Sequence, residues 1–187
     1  MGINRNNPQH AKLHVLLQPN IGLDGDARHS VVEILNTFLA DEAVLTMKTR
    51  SAYWNVRGPG HLDLQELFDR QFHELNLISN EVAERVCVLG GLVINSFEDF
   101  LKYSRLEEHS GDTPDVMNLL ADHEASIRYL REDAHKCFEE FEDHGTFGLL
   151  LGFIRQHEKM AWMLRSCVEP ELPLDEIALN KVIFQPR

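Results

Sequence analysis

His61, Gln65, Asp69 and His73 follow one another at intervals of four residues. In an α-helix each such step turns about 40° past a full turn, so neighbours in the series share a face. A carboxylate and imidazoles grouped in this way can ligate a divalent cation, while a polar stripe of this kind also serves as a solvated helix face. Asn80 and Glu84 repeat the spacing further along. A second set, Glu42, His123 and His157, lies on otherwise apolar stripes of three separate segments. These side chains can meet inside a bundle, either as a hydrogen-bonded cluster or as a ligand set, because a buried carboxylate or imidazole must find a partner. Trp54 and Trp162 read as packing residues, and the acidic run Glu139, Glu140, Glu142 and Asp143 reads as a solvated helix end. The paired Glu-x-x-His motifs of di-metal sites inside a bundle do not occur on two helices. Neither a Gly-rich phosphate loop nor a nucleophile elbow is present.

The elements that must position these groups follow from apolar periodicity and its interruptions. Val31, Ile34, Leu35, Phe38, Leu39, Leu45 and Ala52 form a helical stripe from Ser30 onward, and Gly58-Pro59-Gly60 breaks it. Leu64, Leu67, Phe68, Phe72, Leu75, Ile78, Val82, Val86 and Leu89 define a second helix, for which Gly90-Gly91 offers a left-handed stop. Ser96 and Asp99 are spaced like a capping box, predicting a short helix to Ser104. Thr113-Pro114-Asp115 predicts the start of a third long helix, with Thr as cap and Pro in the first turn; its stripe is Val116, Leu120, His123, Ile127, Leu130, Ala134 and Phe138. After Gly145-Thr146 a fourth runs through Leu150, Phe153, Ile154, His157, Ala161, Leu164 and Val168 until Pro170. The expectation is an all-α, four-helix bundle over 30–169, flanked by an N-terminal arm (1–29) and a C-terminal arm (170–187).

A chain of 187 residues suits one domain with its own core. Thirty acidic against eighteen basic residues give a formal charge of −12, which disfavours binding a phosphate backbone over the whole surface. Residues 1–29 carry Arg5, Lys12 and Arg28 against Asp24 and Asp26, and residues 169–187 carry Lys181 and Arg187 against four carboxylates. Weak DNA binding is the expectation. Cys87, Cys137 and Cys167 are odd in number and widely spaced, which fits a reducing compartment. With no secretory pattern and no long apolar run, a cytoplasmic protein without membrane contact is expected.

The strings LADEAVLTMKTRSAYWNV, ELFDRQFHEL, NEVAERVCVLGG and HEKMAWMLRS closely resemble the Dps family, the miniature ferritins named for DNA protection during starvation. The resemblance spans roughly Ser30 to Glu169. It implies a ferritin-like subunit with a short BC helix, assembled as a hollow homo-oligomer of twelve that oxidises ferrous iron with hydrogen peroxide or oxygen, stores the mineral and protects against oxidative stress.

The family's ferroxidase site lies between two subunits, and the resemblance carries its five ligand positions onto Tyr53, Gln65, Asp69, Asn80 and Glu84. Tyr53 and Gln65 stand where the family has His, and Asn80 where it has Asp. His61 and His73 stand one helical step either side of Gln65 and Asp69, so they can replace the lost imidazoles. The expected metal ligands are Asp69, Glu84, His73, His61 and Gln65; the first three are the expected catalytic set. Such a mixed nitrogen and oxygen set also suits zinc, a possible competitor of iron. Gly148 replaces the acidic residue usual in the Gly-Thr-x-Asp opening of the last helix, a departure from the usual iron-entry pore. Three readings follow: an iron-oxidising shell with a modified site, a protective or structural shell without ferroxidase activity, and a bundle enzyme using Glu42, His123 and His157.

Overall fold

The computed structural model describes residues 19–108 and 111–168; the expected C-terminal arm and most of the N-terminal one lie outside them. Four long helices and one short one make up the secondary structure: α1 (Gly25–Asn55), α2 (His61–Val88), α3 (Phe97–Tyr103), α4 (Val116–Glu139) and α5 (His144–Val168). There is no strand among the described residues. The helices pair as hairpins, α1 on α2 and α4 on α5, and α1 also packs on α4. This is the all-α four-helix bundle that the periodicity predicts.

Local chemistry fixes the boundaries. Asp24 accepts from the Ala27 N–H at 2.7 Å and starts α1 five residues ahead of Ser30. The apolar stripe marks where burial begins, and the cap marks where helical hydrogen bonding begins. After α2, Gly90 takes φ 78°, with Gly90 N–H donating to Cys87 O and Gly91 N–H to Val86 O, the Schellman pattern that sequence anticipates. Ser96 caps α3 through Asp99 N–H. At α4 the cap is Asp115, in a reciprocal box with Asn118, so Thr113 and Pro114 stand just outside the helix. The α5 start departs further from expectation. Asp143 is buried, accepts from Thr146 N–H at 2.9 Å and receives Arg85 of α2 at 2.8 and 3.0 Å. Burial alone would raise its pKa, but the Thr146 and Arg85 hydrogen bonds hold it below the ordinary carboxylate value. It is thus a clamp between α2 and α5, whereas Glu139, Glu140 and Glu142 are exposed.

Val31, Leu35, Phe38 and Leu45 of α1 meet Leu75, Ile78, Leu130, Leu150 and Phe153 in one core, with Phe38 and Phe153 rings 5.7 Å apart. On α4 the buried face includes Leu119, Ser126 and Cys137, whereas Phe138 of the expected stripe is 40% exposed. Burial, then Asp143 and Asp133, push the Cys137 thiol up to about 12, so it stays protonated and packs as a small apolar group. Trp54 and Trp162, read from the sequence as packing residues, are 56% and 59% exposed in the single subunit. No helix among the described residues is long and apolar enough to cross a membrane.

Arg105, in the segment after α3, ties this segment to two long helices. Its Nε donates to Asp41 of α1 at 2.8 Å and its guanidinium to Asp133 of α4 at 2.8 Å, with the cation 4.4 Å above the Tyr129 ring. Burial raises the Asp133 pKa despite this contact. Close packing is tested most simply at Gly91. An added Cβ there would lie 2.6 and 2.7 Å from the methyls of fully buried Val32. Gly91→Ala is expected to lower stability by about 1–3 kcal/mol, the usual cost of overpacking, as checked by denaturant titration. An unchanged midpoint would show that Val32 has room to move.

Candidate metal site

The first of the two predicted clusters lies on the first turns of α2. His73 Nε2 is 3.5 Å from Asp69 Oδ2, and both side chains are accessible, 69% and 44% exposed. Two donors bound at about 2.0–2.2 Å to one tetrahedral ion stand about 3.4 Å apart. The pair therefore has the spacing of two ligands of a single cation, and it opens outward.

Its neighbours are less free. His61 folds back on the preceding turn with Nδ1 3.0 Å from Gly58 O. A proton on Nδ1 donates there and leaves Nε2 with its lone pair, the arrangement that orients a ligating imidazole. Gln65 Nε2 donates to Tyr53 O at 3.3 Å, satisfying an end carbonyl of α1 and leaving only Oε1 for a cation. Glu84 is exposed on the same helix, fifteen residues beyond Asp69, or about 22 Å along the axis. It cannot join Asp69 of its own subunit. Among the described residues, no three His, Cys, Asp or Glu side chains of one subunit group to hold a metal ion.

Sequence reasoning passed over Arg50. Its guanidinium lies 4.3 Å from the Phe72 ring centroid, 5.5 Å from that of Trp54 and 5.7 Å from that of Tyr53. It brings a positive charge to the α1 side of the Asp69 and His73 helix. The signal was present in the i, i+3, i+4 spacing of Arg50, Tyr53 and Trp54, but Phe72 comes from the next helix.

The second cluster is assembled as the stripes predicted. Glu42, His123 and His157 are all fully buried. His157 Nε2 lies 3.2 Å from Glu42 Oε1, and His157 Nδ1 lies 3.0 Å from His123 Nδ1. The two nitrogens of His157 thus face different partners. The three groups form a chain with His157 in the middle, hydrogen-bonded to His123 and in charge contact with Glu42, and they do not converge on a common point as a ligand set would.

Comparison with known proteins places the fold and this helix in context. The Ferritin-like domain profile matches residues 32–170. An uncharacterised low temperature-induced protein of Nostoc sp. is 42% identical over 154 residues, covering 80% of this chain and 86% of its own. The DNA protection during starvation protein 2 of Bacillus anthracis is 32% identical over 139 residues, 73% of this chain and 94% of its own. This chain belongs to the Dps family. A solved Dps protein from Vibrio cholerae O1, itself a member of a broad superfamily of ferritin-like diiron-carboxylate proteins, superposes with a TM-score of 0.75 at 28% identity. The match covers 81% of this chain and 97% of that one. In this Dps chain Asp69 and His73 share one face of α2.

Proposed function

We propose that this Dps-family protein is a cytoplasmic, iron-handling shell that oxidises and sequesters ferrous iron and protects against oxidative stress. It uses a histidine-substituted site between subunits. The observation that carries this reading is the Asp69 and His73 pair, spaced as two ligands of one ion and open to a second subunit. Glu84 of a facing copy would complete the set, since its own Asp69 is far along the helix. Asp69, His73 and Glu84 then hold iron as substrate. His61 Nε2, Gln65 Oε1 and Asn80 offer only weaker, mostly neutral donors for a second ion. One strong and one weak position are expected.

Assembly as a closed homo-oligomer of twelve accounts for apolar surface left uncovered in one subunit. Phe97 and Leu101, four residues apart on α3, are 87% and 57% exposed; such side chains are ordinarily covered by a partner. The acidic balance of the whole chain favours weak DNA binding.

A second reading, a protective shell without ferroxidase activity, is favoured by the Gln65 tie to Tyr53 and by the Arg50 cation against Phe72. Ferrous oxidation by the purified assembly, with peroxide and with oxygen, separates the two. Oxidation that added zinc suppresses supports the modified site, because zinc competes for the Asp69 and His73 position. An assembled shell oxidising iron no faster than buffer supports the second reading.

A further inference from the structure

The Glu42, His157 and His123 chain is outside the α2 site, and the iron reading leaves it without a task. It spans three helices, α1, α5 and α4, at the centre of the bundle. All three side chains have no solvent exposure. We infer that this triad is a buried proton-holding relay: at neutral pH it keeps one proton on Glu42, with Glu42 O–H facing His157 Nε2 and His157 Nδ1–H donating to His123 Nδ1.

The contacts admit an ionised chain, a neutral chain, and an ion pair in which a doubly protonated His157 donates from Nδ1 to His123 and faces a Glu42 carboxylate with Nε2–H. In the ionised form His123 Nδ1–H would donate to His157 Nδ1 and His157 Nε2–H would face a Glu42 carboxylate, burying one net negative charge. In the neutral form every group is uncharged and each hydrogen is moved one place along the chain. Neither Glu42 oxygen receives an aligned hydrogen bond. The ionised chain and the ion pair each bury a Glu42 carboxylate without aligned donors, a greater cost than the unpaired His123 Nε2–H of the neutral chain, so the neutral chain is favoured. Charges nearby do not reverse this choice. From α1 the adjacent Asp41 carboxylate, held by Arg105, opposes a second negative charge on Glu42. From α5 and α4 the titratable groups bearing on the triad are the two imidazoles themselves. No α2 charge is among the perturbing groups. Burial pushes Glu42 up and His123 well down, in keeping with neutral forms of both.

The relay makes bundle stability depend on pH. Above about pH 6.5 the unfolded chain binds none of the three protons while the native triad keeps one, so stability falls as pH rises. Below that value the unfolded chain takes up a proton on His123, which the native triad does not, and this offsets the proton held on Glu42, so the dependence flattens. Proton storage of this kind does not depend on the metal site.

Glu42→Gln is isosteric and fixes the neutral form. Relative to wild type, its folding equilibrium constant is expected to gain about tenfold for each pH unit between 5.5 and 7.5, read by denaturant titration at fixed protein concentration. A pH-independent difference would overturn the proposal. A second measurement does not require the variant to fold. The wild-type infrared spectrum at pH 7 should contain a protonated carboxylic acid C=O band that shifts in heavy water after refolding. Its absence would likewise overturn the proposal.

Discussion

Replacing Asp69 with Asn, His73 with Ala and Glu84 with Gln together is expected to slow ferrous oxidation at least tenfold while leaving the assembly intact. Losing only an outer-shell partner of a metal ligand costs about 10–100-fold in metal affinity or activity. Here the expected ligands themselves are removed. Asp69 and His73 are exposed or half-buried and make only their 3.5 Å mutual contact among the polar contacts described, so the bundle does not depend on them. His61→Ala should have a smaller effect, since His61 is held by Gly58 and serves the weaker position. Restoring His at Tyr53 and Gln65 with Asp at Asn80 should raise the rate by rebuilding the family's usual set. Stopped-flow oxidation with peroxide and with oxygen reads all of these. A triple variant with the wild-type rate would move the chemistry off α2.

The largest stability effect is expected at Arg105. Arg105→Ala leaves Asp41, which is fully buried, and Asp133, nearly so, without their shared cation. Breaking a buried pair by removing one partner costs about 3–5 kcal/mol, mostly from the charge left behind. Arg105→Lys should recover only part of this, because one ammonium cannot reproduce a planar fork reaching two carboxylates. The sign of the pH dependence is fixed by Asp133, whose carboxyl burial already holds above its ordinary value. A raised folded pKa means that stability is lost as pH rises past the unfolded carboxylate value. The deficit of the variant should therefore be greatest near neutral pH and shrink in acid, where the orphaned Asp133 carboxyl takes up a proton. Denaturation midpoints at pH 7 and pH 4.5 check this.

The sequence carried the helices because period and punctuation are local properties. The Schellman end at Gly90 and Gly91 and the Ser96 cap involve residues within one turn of one another, and both could be read directly. The buried triad was legible too, since polar residues on apolar stripes point to a shared interior even when far apart in sequence. Other features depended on tertiary partners. Arg105 meets Asp41 and Asp133 at separations of 64 and 28 residues, and nothing in its neighbours marks it as a clamp. Asp143 looked like one more surface acid in a charged run until Arg85 came against it from α2. Trp54 and Trp162 carry an apolar load whose burial one subunit does not supply. On α2 the spacing showed that Asp69 and His73 share a face, but it could not show Gln65 engaged at the end of α1. The helix also holds Glu84 too far from Asp69 for one subunit to bring the two together.

A crystal structure of the assembled protein soaked in ferrous iron, with zinc as a parallel soak, tests the central claim most directly. The account predicts an ion held by Asp69 and His73 of one subunit and Glu84 of its neighbour, with a second, less occupied position toward His61. An ion seated wholly within one subunit, at Glu42, His123 and His157, or a well-ordered subunit interface with no ion at Asp69 and His73, would contradict it.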